Sequence, residues 1–141
     1  MYKSILIPLD GSELAESILF ELDQMAVTTT SRLVLIRVCP IYAVSERYIS
    51  EAHSQIVQVA ESYLENMKAQ LNAKGFTVEV HVCYGDPAFE ILDLADRADV
   101  NLIAMSTHGR SGFGRWLLGS VAEKVIRHSS KPILLKPVKT A

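Results

Sequence analysis

Residues 100–120 read VNLIAMSTHGRSGFGRWLLGS. The run 100–105 is short and apolar, as expected of a strand covered on both faces. A connection follows that holds three glycines and two arginines, and a fourth glycine, Gly119, with Ser120 then opens a helix expected to reach about residue 127. Glycine loses more conformational freedom on folding than any other residue and contributes no side chain to a core. A strand, a glycine-rich connection and a helix in this order imply that something must come close to the backbone between them.

The rest of the chain repeats the strand–helix alternation. Residues 3–9, KSILIPL, form an apolar run closed by Asp10-Gly11-Ser12. Ser12 is placed to cap a helix in which Ala15, Ile18, Leu19, Leu22, Met25 and Ala26 recur at helical spacing. The polar cluster 28–31 ends that helix, and 33–38, LVLIRV, is a strand stopped by Pro40. Residues 40–50 are expected to be a loop leading into a long helix with Ile56, Ala60, Tyr63, Leu64, Met67 and Leu71 on its apolar face and Gly75 at its end. Residues 76–82 alternate apolar and polar, the pattern of a half-buried strand at the periphery of a sheet. Asp86 and Pro87 are the N-cap and first position of a third helix that buries Ala88, Ile91, Leu92 and Ala95. Residues 132–135 are the last strand.

The order βαβαβαβαβ predicts an α/β fold in a single domain, 1–141, with one doubly wound, five-stranded parallel sheet and helices on both faces. With strand order 3-2-1-4-5, the winding reverses between strands 1 and 4, and ligands bind at the carboxyl ends of strands at such a point. Asp10-Gly11-Ser12 and residues 106–120 follow those two strands. The least ordinary segments of the chain thus fall where the fold opens a crevice.

Composition narrows the function. The chain has 141 residues, 49% of them hydrophobic, enough to bury a substantial core, and its net charge of −2 is spread without a basic stripe for nucleic acid. No apolar run approaches the roughly 20 residues that span a bilayer. The first apolar segment is too short for a secretory signal, so the cytoplasm is expected. Cys39 and Cys83 each end a strand-like run and are expected to be buried or half-buried thiols rather than a disulfide or metal pair. His53, His81 and His128 lie on different elements without metal-ligand spacing.

Two phosphate-binding designs fail on the glycine segment. A Walker A loop needs Gly-Lys-Ser/Thr, and the lysine is missing; a Rossmann fingerprint needs its glycines after the first strand, in a different order. What remains is Gly109, nine residues, then Gly119-Ser120. Gly109 lets a backbone approach an anion, while Gly119 and Ser120 can offer amides and a hydroxyl from a helix start, where a phosphate is favoured. Arg110 and Arg115 either add charge-assisted hydrogen bonds or face water, and Gly112 and Gly114 either loosen the connection or touch the ligand. Trp116 reads as a core or dimer contact, and His108, with no nucleophile or carboxylate placed beside it, as a turn residue rather than a catalyst.

The stretch STHGRSGFGRWLLGSVAEKVI resembles the ATP-binding signature of the universal stress protein family, G-x-x-G, nine residues, then G-S/T. The resemblance covers the chain through ILIPLDGSE, LVLIRV, GDPAFEIL and KPILL. It implies the same fold, usually dimeric, and ATP in the nucleotide-binding branch. By the same resemblance Asp10, after Pro8, lies at the adenosine end, and Val38 meets adenine. Met105 and the turn Ser106-Thr107-His108-Gly109 line the ribose and α-phosphate, followed in the signature by Arg110 and Gly112. Gly119, Ser120 and Val121 match the phosphate-binding helix start. Ser106 replaces the first glycine of the signature, and its hydroxyl is expected to be able to hydrogen-bond to ligand.

The implied function is that of an ATP-binding regulatory or stress-response protein, with Mg²⁺ held by phosphates and water and the 109–119 connection responding to the ligand. The alternatives are a slow ATP hydrolase and an interaction protein that binds no nucleotide. Related enzymes carry HIGH-type or SGGxDS-type loops after the first strand, where this chain reads LDGSE. No paired carboxylates or general base accompany the site, so efficient turnover is not expected. Residues 132–138 form an apolar sheet edge expected to pair with a second copy across a two-fold axis.

Overall fold

Successive residues of a strand point to opposite faces, and the central strands here are apolar at nearly every position because both faces are covered. The computed structural model describes residues 2–24, 30–39, 46–108 and 118–138. In β1 (Ser4–Pro8), Ile5 and Ile7 pack on one side and Leu6 on the other, all three fully buried. β2 (Arg32–Cys39) sends Leu33 and Leu35 to the first side and Val34 and Ile36 to the second; β4 (Leu102–Ser106) divides Leu102 and Ala104 from Ile103 and Met105 in the same way. Each such aliphatic side chain contributes roughly 1.5–3 kcal/mol by leaving water.

With β3 (Thr77–Tyr84) and β5 (Ile133–Lys136), the strands form one parallel sheet in the order β3-β2-β1-β4-β5, as the sequence predicts. The first face is covered by α1 (Glu13–Glu16), the 3-10 helix Ser17–Gln24 and α2 (Glu46–Ala73). The second is covered by α3 (Pro87–Arg97) and α4 (Ser120–His128). β3 is an edge strand whose Val78 is buried and Thr77 exposed, while Val80 and Val82 are half-buried like Glu79 and His81, so the alternation expected from the sequence is clear only at its start.

Strand boundaries shift by one or two residues from expectation, but the first helix departs in kind. One α-helical turn follows the Ser12 cap, whose Oγ accepts the Ala15 amide at 3.1 Å. The chain then tightens into a 3-10 helix for eight residues, a long run for that geometry. Two serine hydroxyls meet the chain where the pitch changes. Ser17 Oγ donates to the Leu14 carbonyl at 2.7 Å, and Ser106 Oγ donates to the Ala15 carbonyl at 3.2 Å. Carbonyls engaged this way are drawn from the amides four residues ahead that an α-helix would supply. Ile18 and Leu22 stay buried, so the apolar face survives the change of pitch; Met25 and Ala26 lie outside the described residues. α2 already begins at Glu46, within the stretch 40–50 expected to be a loop, and its first residues contain no glycine or proline to stop it; residues 40–45 lie outside the described residues.

Candidate functional site

From β1 the chain winds through β2 to β3 on one side of the sheet, and from β4 to β5 on the other. At the carboxyl ends of β1 and β4, where these directions part, lies a cavity of about 230 Å³. Ile36 and Val38 of β2, Pro87 and Ile91 of α3 and Met105 of β4 give it an apolar side. Pro8, Leu9, Asp10 and Ala15 line it from β1 and α1, and Ser106, Thr107, His108 and residues 119–122 from β4 and α4.

Ten of the residues singled out from the sequence therefore meet at one cavity: Pro8, Asp10, Val38, Met105, Ser106, Thr107, His108, Gly119, Ser120 and Val121. Gly109, Arg110 and Gly112 lie outside the described residues, as do Gly114, Arg115 and Trp116. The sequence did not point to Leu9, Ala15, Ile36, Pro87, Ile91 or Ala122 as part of the site. A signal existed for two of them: Pro87 and Ile91 are four apart at the start of α3, so they share the helix face turned toward the strand ends.

The helix starts differ in how their free amides are supplied. In α1 and α3 a side chain does it: Ser12 for Ala15, and Asp86 Oδ2 for the Phe89 amide at 3.0 Å. The N-cap of α4 is Gly119, and no side chain caps that helix. The amides of Ser120, Val121 and Ala122 precede the first intrahelical bond, Glu123 N–H to the Gly119 carbonyl at 2.9 Å, and have no acceptor among the described residues. Their residues line the cavity. The Gly119 amide, expected from the sequence to face a ligand, instead donates to the Thr107 carbonyl at 2.9 Å. Glycine is required there by space: a Cβ at 119 would stand 2.6 Å from that carbonyl oxygen.

Asp10 Oδ1 accepts both the Ser12 amide at 3.0 Å and the Ser12 hydroxyl at 2.5 Å, across a turn in which Gly11 has φ +88°. The same Asp10-Gly11-Ser12 segment thus caps α1 and fixes a carboxylate at the cavity. Ser106 is buried, and its hydroxyl lies between the Ala15 carbonyl and Ser17 Oγ, 3.0 Å away. The group expected to be able to reach ligand is engaged instead in the joint between β4 and α1. Thr107 makes four contacts: its amide to the Lys136 carbonyl, its carbonyl to Gly119, its hydroxyl from the Val138 amide at 3.1 Å, and the same hydroxyl against His108 Nδ1 at 3.0 Å.

Cys39 and Cys83 are free thiols, one buried and one half-buried. Burial pushes both thiols up from their ordinary range, which keeps them protonated and poorly nucleophilic at neutral pH. Among the described residues no three His, Cys, Asp or Glu side chains converge as a metal site, and no helix is long and apolar enough to cross a membrane.

The family model of the universal stress protein family matches residues 1–137. Universal stress protein MJ0577 of Methanocaldococcus jannaschii is 31% identical, over 96% of this chain and 94% of its own. The solved structure of MJ0577 superposes with a TM-score of 0.91, at 33% identity, over 100% of this chain and 99% of that one. Two more distant structures share the fold. One is a universal stress protein in complex with cAMP (TM-score 0.67, 22% identity, 99% and 98% coverage). The other is a universal stress protein family protein from Arabidopsis thaliana with AMP bound (TM-score 0.73, 14% identity, 99% and 93% coverage).

Proposed function

The chain belongs to the universal stress protein family, and on that premise we propose that it binds ATP in the cavity between β1, β2, β4 and α4 and acts as a nucleotide-dependent regulatory protein. The observation that carries this reading is the uncapped start of α4. Three amides without an acceptor among the described residues, at the positive end of a helix dipole and on residues that line the cavity, suit a phosphate. The apolar wall of Val38, Pro87, Ile91 and Met105 suits a purine, and the Asp10 carboxylate on the same cavity would accept from a ribose hydroxyl. The AMP and cAMP held by relatives of the same fold support an adenine nucleotide. Mg²⁺, in this reading, is carried by the phosphates and water. The protein is further proposed to be one cytoplasmic domain that pairs with a second copy through residues 132–138.

The test begins with the small molecules released on denaturing freshly purified protein, followed by calorimetric titration with Mg-ATP. The parent is expected to bind, and Gly119→Ala, whose Cβ pushes α4 away from Thr107, to lose at least about tenfold in affinity, about 1.4 kcal/mol. A folded parent that neither releases nor binds an adenine nucleotide overturns the reading in favour of a protein-interaction role. Rapid, protein-dependent formation of ADP would make hydrolysis the function.

A further inference from the structure

Thr107 stands where the β4–β5 ladder meets the start of α4. The parallel register pairs Ile103 with Ile133 and Ser106 with Lys136, and the Ile103 amide accordingly bonds the Pro132 carbonyl at 3.0 Å. Carried two steps further, the same pattern places the Thr107 amide on the Lys136 carbonyl, which is observed at 3.0 Å, and the Val138 amide on the Thr107 carbonyl. That second bond is not made. The Thr107 carbonyl accepts the Gly119 amide instead, held so closely that a Cβ would not fit, and the Val138 amide goes to the Thr107 hydroxyl at 3.1 Å. One buried residue thus satisfies two amides: its carbonyl takes the one from the start of α4, and its hydroxyl takes the one that strand geometry would send to that carbonyl.

We infer that Thr107 couples the nucleotide cavity to the C-terminal end of the edge strand: its carbonyl fixes the start of α4, and its hydroxyl holds residue 138 in place. The inference rests on the nucleotide reading above and adds to it a route by which occupancy reaches the sheet edge. A ligand drawn to the amides of Ser120, Val121 and Ala122 settles α4 on the Thr107 carbonyl, which leaves the hydroxyl as the acceptor for Val138. By linkage, ordering residue 138 strengthens the ligand site by the same factor. Lys136 is pinned separately by its ion pair with Glu21 of the 3-10 helix, so the coupling acts on the segment just beyond it. That segment continues the edge proposed to pair with a second copy, and the nucleotide thereby acts on the surface offered to it.

The test leaves the cavity untouched. Val138→Pro removes the amide while Val138→Ala keeps it, and both are titrated with Mg-ATP beside the parent, with thermal unfolding as the check on folding. Val138→Pro is expected to weaken Mg-ATP by about fivefold or more and Val138→Ala by less than about twofold. In the parent, saturating Mg-ATP is expected to slow hydrogen exchange at the Val138 amide. Equal affinity of Val138→Pro and parent overturns the coupling, as does an equal loss in Val138→Ala or unchanged exchange at Val138. A parent that binds no Mg-ATP removes the nucleotide reading and the coupling together, and its own titration separates that result from the others.

Discussion

Ser106 shows how one side chain can serve the scaffold beside a ligand site. Its hydroxyl is buried against the Ala15 carbonyl and Ser17 Oγ, and both partners lie on the element that follows the Asp10 turn. Glycine, which the family signature has at this position, would leave the Ala15 carbonyl without this donor. Ser106→Ala should therefore cost stability, about 1–2 kcal/mol by denaturant unfolding, because a buried hydrogen bond is lost and its acceptor stays desolvated. Its affinity for Mg-ATP should stay close to that of the parent, since the amides of α4 are not touched. A large loss of affinity with little change in stability would mean that the hydroxyl turns to the ligand after all. Gly119 is the contrasting case, where the absence of a side chain is what the site needs.

At the level of elements, α3 and α4 lie on the same face of the sheet but start differently. α3 carries Asp86 as its cap, Pro87 in its first turn and four buried apolar residues, and it begins as a self-sufficient helix. α4 has a glycine cap and open amides at the cavity. Supplying α4 with its own anion separates the needs of the helix from those of the site. Ser120→Asp places a carboxylate at the first helical residue, where the helix dipole favours it by about 0.3–1 kcal/mol. The variant is expected to unfold at equal or higher temperature than the parent and to lose Mg-ATP binding in calorimetry, because the new charge repels the phosphates. Unaltered binding would move the phosphates away from this helix start.

At the scale of the molecule, the sheet ends on β5, whose Leu134 is 38% exposed on the face of the 3-10 helix, while Ile126 of α4 is 40% exposed on the other face. An edge strand with apolar side chains on both faces is normally covered, charged or paired. Pro132 and Pro137 flank the strand, and Lys136 is drawn into its pair with Glu21. Leu134→Glu is expected to convert a dimer into a monomer in sedimentation velocity at micromolar concentration, with a thermal midpoint within a few degrees of the parent. A monomeric parent under the same conditions would show that the prolines and lysines protect the edge by themselves.

The sequence alone determined the alternation of elements, the caps at Ser12 and Asp86 and the segments, Asp10-Gly11-Ser12 and the residues after β4, that fall at strand ends. These are local patterns. A period of two or of about 3.6 residues states which side chains must leave water, and a cap is written within three residues of the amide it serves. Tertiary structure decided which hydrogen-bonding group faces what. Ser106 and Ala15, 91 residues apart, bond to each other where the expected α-helix gives way to a 3-10 helix. The Gly119 amide goes to Thr107, leaving the next three amides for the cavity. Pro87 and Ile91, legible as the start of a helix, become a wall of the site once α3 packs across β2. A polar group takes the nearest good partner that packing brings to it, and separation along the chain does not encode which partner that will be.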